Sequence, residues 1–348
     1  MHPIDRATDK PLSTENKQVI EVVKNNIWNK FRALIFGIIA LGTIFSSVPT
    51  TAQNNAKKTK DESFDTKAFA RIFSHRFAAV NGIRLHYVIG GKGDPLVLLH
   101  GYPETWYGWR KLMPELAKHY TVIAPDMRGL GESSIQADGD YTKKTVADDI
   151  YKLVQSLGIR RVFLVSEDMG ASVALAYAGL HRTDVRGLIF MESTVAGFGL
   201  EEAGFWHVGF FAAPEFPEML TKGREKEFFT KWAYRGNYVY QKGTFTDADI
   251  SEYVRHYAKP GGMTAGFGYY RAFAQDAKDN REFFTENKLT LPILAIGGEY
   301  GMRDLAEKNL KRLGTNVTGL IIKDSGHFVS EEQPQSLAQA IIVFCGGK

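Results

Sequence analysis

The sequence predicts an α/β protein: a mostly parallel β-sheet flanked by helices, with a helical cap inserted late in the chain. Three observations carry this reading. Apolar, β-branched runs alternate with helix-like stretches over most of the chain, the rhythm of a sheet covered on both faces. Several of these runs end in glycine-rich turns. The rhythm then stops between Ser193 and Leu291, where Phe, Tyr, Trp and Lys fill helical stretches such as KGREKEFFTKWAY and no convincing strand remains.

IRLHYVIGG (83–91) is the first strand candidate, ending in glycines, and DPLVLLHGYP (94–103) follows with the apolar run PLVLLH. YTVIAPDMRGLGES (120–133) repeats the theme of a β-branched run and a glycine-rich turn. KTVADDIYKLVQSLG (144–158) has helical periodicity and a terminal glycine, as a helix stop requires. RVFLVSED (161–168) is another strand, and GASVALAYAGLH (170–181) is a small-residue helix able to pack closely on a sheet. RGLIFMES (186–193), LPILAIGG (291–298) and VTGLIIKD (317–324) are further strands, and SLAQAIIVFCG (336–346) closes the chain as an apolar-striped helix.

The 348 residues, 44% of them hydrophobic, suffice for one large domain or two modest ones. A formal charge of +4 without a concentrated basic face gives nucleic-acid binding no support. Cys345 is the sole cysteine, which excludes an internal disulfide and a cysteine metal cluster. Near the start, Lys24, Lys30 and Arg32 precede the apolar run LIFGIIALGTIF (34–45), too short for a comfortable membrane span. Small residues follow, with Ala52 at a cleavage position, so the segment reads as an export signal. The expected location is secreted or periplasmic; a retained membrane anchor and a buried helix are the alternatives. The expected division is a signal over 1–52, a lead-in over 53–76, core over 77–193, cap over 194–290 and core again over 291–348.

Asp168 stands where a strand turns into a helix, in Ser166-Glu167-Asp168-Met169-Gly170. The hydrolase elbow G-x-S-x-G has this shape, with small neighbours where the backbone crosses itself closely. Alone the pattern is weak, since an Asp at such a junction serves equally well as a helix N-cap. Three other pieces favour the elbow. HGYPETWYGWR (100–110) follows a strand, and its His-Gly-x-Pro bends an amide N–H toward the elbow. DMRGLGES (126–133) ends the next strand, and DSGHFVSEEQP places His327 after the last one. Nucleophile first and histidine after the last strand is the order of the α/β-hydrolase fold.

Together HGYPETW, RGLGES, an Asp-centred elbow and SGHFVSEEQP resemble the epoxide hydrolase branch of the α/β-hydrolases, from about Phe77 to the C-terminus. That resemblance implies an aspartate nucleophile, Asp168, whose carboxylate opens an epoxide and forms an alkyl-enzyme ester. It implies His327 as the base that activates water against the ester. By position, the backbone N–H groups of Tyr102 and Met169 are the oxyanion donors. The family's usual relay acid is missing, because Gly301 occupies its place in GEYGMRD. Glu192, ending the strand GLIFMES, is the expected substitute, with Glu299 the weaker choice. The family uses two cap tyrosines to hold the ring oxygen. Here Tyr270 precedes Arg271 as the family's Tyr-Arg pattern requires, its neighbour Tyr269 faces elsewhere on the helix, and no second tyrosine is evident.

FWHVGFFAAPE places His207 early in the cap instead. His207 with Tyr270 and Glu192 resembles the secreted Cif-type bacterial epoxide hydrolases, and WHVGFFAAPE, YAKPGG and GYYRAF all share that likeness. Phe205, Trp206, Phe210 and Phe211 are expected in the cavity wall or cap core. The resemblance implies a small hydrophobic epoxide and water as reactants, no metal or other cofactor, a homodimer, and a host protein or membrane target if the chain is a virulence factor. Two alternatives stand beside it. Haloalkane dehalogenases share the Asp and His but place Trp after the nucleophile, whereas Met169 cannot donate to a halide; fluoroacetate-type enzymes carry arginines where Met169 and Ser172 stand. The other alternative is a secreted hydrolase-fold protein that acts mainly by binding a host partner.

Overall fold

The computed structural model describes residues 64–136 and 139–347. The apolar run 34–45 and Ala52 lie outside the described residues, as do residues 53–63 of the lead-in. Eight strands make one sheet: β1 (Phe73–Val80), β2 (Ile83–Gly91), β3 (Asp94–Leu99), β4 (Tyr120–Pro125), β5 (Val162–Glu167), β6 (Val185–Met191), β7 (Ile293–Gly298) and β8 (Val317–Ile322). Their spatial order is β1-β2-β4-β3-β5-β6-β7-β8. β1 and β2 run antiparallel to their neighbours, while β4, β3, β5, β6, β7 and β8 pair in parallel. The central strands are buried on both faces, which is why they read as unbroken apolar runs.

β1 has no counterpart in the sequence reading, and its start at Phe73 falls within the stretch read as lead-in. The physical reason is plain. It is an edge strand, paired only with β2 and buried only at Phe73 and Val80, so FSHRFAAV shows no apolar alternation.

On the core, α1 (Lys143–Ser156) packs against α2 (Met169–Leu180), which follows β5 directly. α2 is apolar all round because every position from Met169 to Ala178 except Ser172 is buried between the sheet and neighbouring helices. No strand occurs between β6 and β7; the longer cap helices are α3 (Trp206–Ala212), α4 (Asp247–Tyr257), α5 (Gly262–Arg271) and α6 (Phe273–Phe284), and α7 (Pro334–Cys345) closes the chain. Among the described residues no helix is long and apolar enough to cross a membrane.

Cap tyrosines tie the inserted helices to the core loops. Tyr234 donates its hydroxyl to Pro103 O, Tyr257 to Glu104 O at 2.6 Å, and Tyr269 to Arg128 O at 2.8 Å. Arg110 reaches up from the core to Asp249 at 2.8 Å, while the other oxygen of Asp249 completes a capping box with Thr246 at the start of α4. These buried polar contacts fix the cap over the C-terminal ends of the strands.

Gly170 sets how closely α2 approaches β3. A Cβ there would lie 2.3 Å from Leu99 O and 2.5 Å from His100 O, both backbone atoms that cannot yield. Gly170→Ala is therefore expected to destabilise the protein by about 1–3 kcal/mol. Gly209→Ala, in open space within α3, should be neutral or stabilising by up to about 1 kcal/mol. Denaturant titration of the two variants reads the contrast, and equal midpoints would remove the close-approach argument.

Candidate active site

β5 ends at Glu167 and α2 begins at Met169, leaving Asp168 alone to make the turn with φ 51° and ψ −117°. A non-glycine residue held there stores about 1–3 kcal/mol of strain, which surrounding contacts must offset. Asp168 occupies the N-cap position of α2 but makes no capping hydrogen bond. Its carboxylate turns outward, and Oδ1 accepts the Tyr102 N–H at 2.9 Å. The cap function that the isolated pattern allows is thus not the one the geometry uses.

The Tyr102 loop is itself held by the next motif. Asp126, fully buried at the end of β4, accepts the Trp106 N–H on Oδ1 at 2.9 Å and the Glu132 N–H on Oδ2 at 2.9 Å. It also pairs with His86 at 2.7 Å. DMRGLGES therefore shapes HGYPETW, and HGYPETW presents the amide to Asp168.

His327 sits on the loop after β8, between two carboxylates. Nε2 is 3.4 Å from Asp168 Oδ2, and Nδ1 is 3.1 Å from Glu192 Oε2. Burial alone would lower the imidazole's pKa, but Asp168 and Glu192 outweigh it and hold His327 well above its ordinary value. Burial likewise pushes Asp168 up, yet His327 and the Tyr102 and Met169 N–H groups hold it below the usual carboxylate range. The resting pair is an imidazolium beside an ionised aspartate.

Glu192 follows β6 with φ 45° and is completely buried. Oε1 accepts the N–H groups of Gly298 at 2.6 Å and Met302 at 2.9 Å, so the carboxylate is anchored to the end of β7. Gly301 explains why the acid cannot also stand in its familiar place: a Cβ there would lie 2.5 Å from Glu192 Oε2. Glu299 faces elsewhere, accepting the Asp324 N–H at 3.1 Å on the exposed side of the loop.

A cavity of about 270 Å³ opens beneath the cap, lined by Asp168, His327, His207, Tyr270, Trp232 and Tyr238 among others. That is room for a small organic molecule, just under the ~300–1,000 Å³ of typical ligand pockets. His207 on α3 and Tyr270 on α5 meet edge to face with ring centroids 6.1 Å apart. Burial takes His207 down to about 4, so its imidazole is neutral at physiological pH. Burial and the charge of Asp168 push Tyr270 well above the ordinary phenol value, keeping its hydroxyl protonated. Both are neutral, and both line the cavity that holds Asp168. Among the described residues no group of three or more His, Cys, Asp or Glu is placed to hold a metal ion.

The other cap aromatics divide. Phe205 lines the cavity, Phe211 is buried in the cap core, and Phe210 packs beside it. Trp206, expected in wall or core, is instead 62% exposed, because α3 turns it away from the cavity that its neighbour His207 faces. Tyr269 is buried with its hydroxyl on Arg128 O. Sequence reasoning missed Tyr238, whose hydroxyl lies 3.1 Å from His207 Nδ1. NYVYQKG belongs to no helix and no motif, and an aromatic-rich irregular segment is the only signal it offers.

The fold and the elbow define the chain as an α/β hydrolase, and residues 94–217 match that fold family. It is 35% identical over 285 residues to the soluble epoxide hydrolase of Corynebacterium sp. (strain C12), covering 78% of this chain and 96% of that protein. Its structure is similar to that of wild-type Cfl2 from Burkholderia cenocepacia, with TM-score 0.75 and 34% identity over 78% of this chain and 96% of the other. It is also similar to the Cif epoxide hydrolase from Acinetobacter nosocomialis, with TM-score 0.72 and 27% identity over 78% and 88%. The chain belongs to the epoxide hydrolase family of the α/β hydrolases, and it is structurally close to the Cif type.

The Gly301 contact yields a direct check on the Glu192 anchor. Gly301→Ala should push the Glu192 carboxylate off its Met302 N–H and away from His327, with turnover falling about tenfold or more. Steady-state kinetics on a refolding-competent variant measures it. Unchanged turnover would show that Glu192 does not need this position.

Proposed function

We propose that this enzyme hydrolyses small apolar epoxides to vicinal diols through a covalent ester on Asp168. The observation that carries the reading is the Asp168 carboxylate itself: ionised, with Oδ1 on the Tyr102 N–H and Oδ2 toward His327 in a cavity with two neutral donors. Oδ2 attacks a ring carbon, the ring C–O bond breaks, and its electron pair passes to the ring oxygen. Tyr270 and His207 are the groups to meet that charge, and the oxygen takes its proton from the Tyr270 hydroxyl, which solvent then restores. Donors aimed at developing charge in a water-poor site are each worth about 3 kcal/mol.

Ester formation removes the charge of Asp168, and with it one of the two causes that hold His327 high. The imidazolium then releases its proton more readily and becomes the base for the second step. It takes a proton from water, and the hydroxide adds to the Asp168 carbonyl carbon. The resulting oxyanion is Oδ1, already on the Tyr102 N–H with the Met169 N–H beside it. Collapse breaks the ester bond, the leaving alkoxide takes the proton from His327, the new Asp168 carboxylic acid gives its proton to the neutral imidazole to restore the resting pair, and the diol departs. Glu192 holds Nδ1 throughout, which orients Nε2 toward Asp168.

The dehalogenase alternative has less behind it, since the Met169 side chain offers no donor to a halide and Tyr270 and His207 suit an oxygen leaving group. Export rests on the N-terminal apolar run 34–45 with Ala52 behind it, and a homodimer and a host-facing role rest on the likeness to the Cif type.

His327→Gln should trap the ester. Mixing this variant with a panel of terminal and aryl epoxides, then quenching, is expected to show substrate mass added at Asp168 and almost no diol. A parallel haloalkane panel with the unmodified protein should release little halide. Adducts elsewhere, or halide without diol, would move the assignment.

pH separates the two steps. Attack needs Asp168 ionised, and its lowered pKa keeps it so to below the ordinary ~3.9. Hydrolysis needs His327 neutral, and Glu192 still favours the imidazolium after the ester forms. Falling pH therefore shuts hydrolysis first, and the unmodified enzyme should accumulate more ester at pH 5 than at pH 8 in rapid-quench mass spectrometry. The opposite order would contradict the assigned roles.

A further inference from the structure

We infer that Tyr238 is a positioning residue for ring opening: its hydroxyl donates to His207 Nδ1 and so fixes the tautomer that presents Nε2–H to the epoxide oxygen. The inference rests on the proposed function, and it assigns a task to a residue outside every motif in the sequence.

A neutral imidazole has one donor nitrogen and one acceptor nitrogen, and the partner of one decides the role of the other. Tyr238 Oη lies 3.1 Å from His207 Nδ1. Nε2 makes no hydrogen bond to any described residue, yet His207 lines the cavity that holds Asp168. If Nδ1 carried the proton, Nε2 would turn a lone pair toward a carboxylate and, during reaction, toward an alkoxide. The field of Asp168 at His207, partly offset by that of His327, disfavours that arrangement even before substrate arrives. With Nδ1 as acceptor, the Tyr238 hydroxyl has a partner and Nε2–H is aimed where charge develops. Burial raises the Tyr238 phenol above its ordinary value, so it remains a donor.

The hydroxyl can do this only if it is held still relative to the core, and the backbone supplies that. Tyr238 O accepts the His327 N–H at 2.8 Å. The Tyr240 and Gln241 N–H groups both donate to Glu332 at 2.8 Å, and Glu332 also accepts the Gly326 N–H at 3.0 Å. Tyr238 is therefore fastened by its main chain to the loop of the base and by its side chain to the ring-opening histidine. Trp232 packs on both rings, 5.5 Å from His207 and 5.8 Å from Tyr238 between centroids.

Tyr238→Phe keeps the ring and the carbonyl to His327 while removing the donor. Single-turnover ester formation from an epoxide should slow about tenfold, and hydrolysis of the ester should not change. In a His207→Phe background the same substitution should have an effect of less than about twofold, because its route of action is gone. Selective 15N-histidine labelling reads the tautomer directly: His207, identified by its loss in His207→Phe, should show protonated Nε2 and unprotonated Nδ1. Tyr238→Phe should shift it toward a mixture. A protonated Nδ1 in the unmodified protein would overturn the inference, as would unslowed ester formation in Tyr238→Phe. Additive loss in the double variant would overturn it too, by showing that Tyr238 acts on the epoxide oxygen itself. Failure of the proposed function is a separate result, namely no ester on Asp168 in His327→Gln, and it leaves the tautomer spectrum to be judged on its own.

Discussion

One imidazole between two carboxylates is the constraint on which the site depends. Asp168 and Glu192 follow adjacent parallel strands, β5 and β6, and both are held at positive φ. A buried carboxylate left without a partner costs several kcal/mol. His327 supplies the single cation, at 3.4 Å from one and 3.1 Å from the other. The remaining charge is met by backbone: Gly298 and Met302 on Glu192, and Tyr102 on Asp168. Those amides restrict the loops that carry them, so the shape of three loops follows from balancing one proton.

Cap and core cannot be treated as separate parts. The loop bearing His327 continues into Glu332, which collects N–H groups from cap residues Tyr240 and Gln241. Its neighbour Glu331 pairs with Arg110, Lys111 and Tyr253, joining the loop to the core and to α4. Glu167, beside Asp168, accepts the Val329 N–H at 2.8 Å, and burial raises its carboxyl to about 7. Placing His327 and roofing the cavity are therefore a single structural event.

Much of this organisation is legible in the chain. The central strands announce themselves as apolar runs because both faces are buried. Asp168 is marked by its place just after such a run, with Gly170 opening the helix behind it, and His327 by its place next to Gly326 in the loop after the last strand. Glu192 is legible by two signals together: a charged residue ending a buried strand, and a glycine where an acid is commonly found. The structure joins those signals, since a side chain at residue 301 would collide with Glu192. What stays hidden lacks a period or a motif. β1 is too exposed to alternate, and the orientation of Trp206 depends on the azimuth of a seven-residue helix. Tyr238 lies in irregular chain whose path is set by contacts more than eighty residues away, and local sequence holds no record of them.

On the proposed pathway, the neutrality of the cap donors matters as much as their placement. An imidazolium at residue 207 would pair with Asp168 and draw the nucleophile toward a cation, weakening its attack. Burial prevents this by taking His207 to about 4. The same burial keeps Tyr270 protonated, so the cavity offers O–H and N–H dipoles without a competing positive charge. Only His327 carries that charge, between Asp168 and Glu192, and it gives up one of its two partners when the ester forms. An apolar cap thus does more than exclude water: by setting which groups stay neutral, it leaves the aspartate free to attack and the histidine free to become a base afterwards.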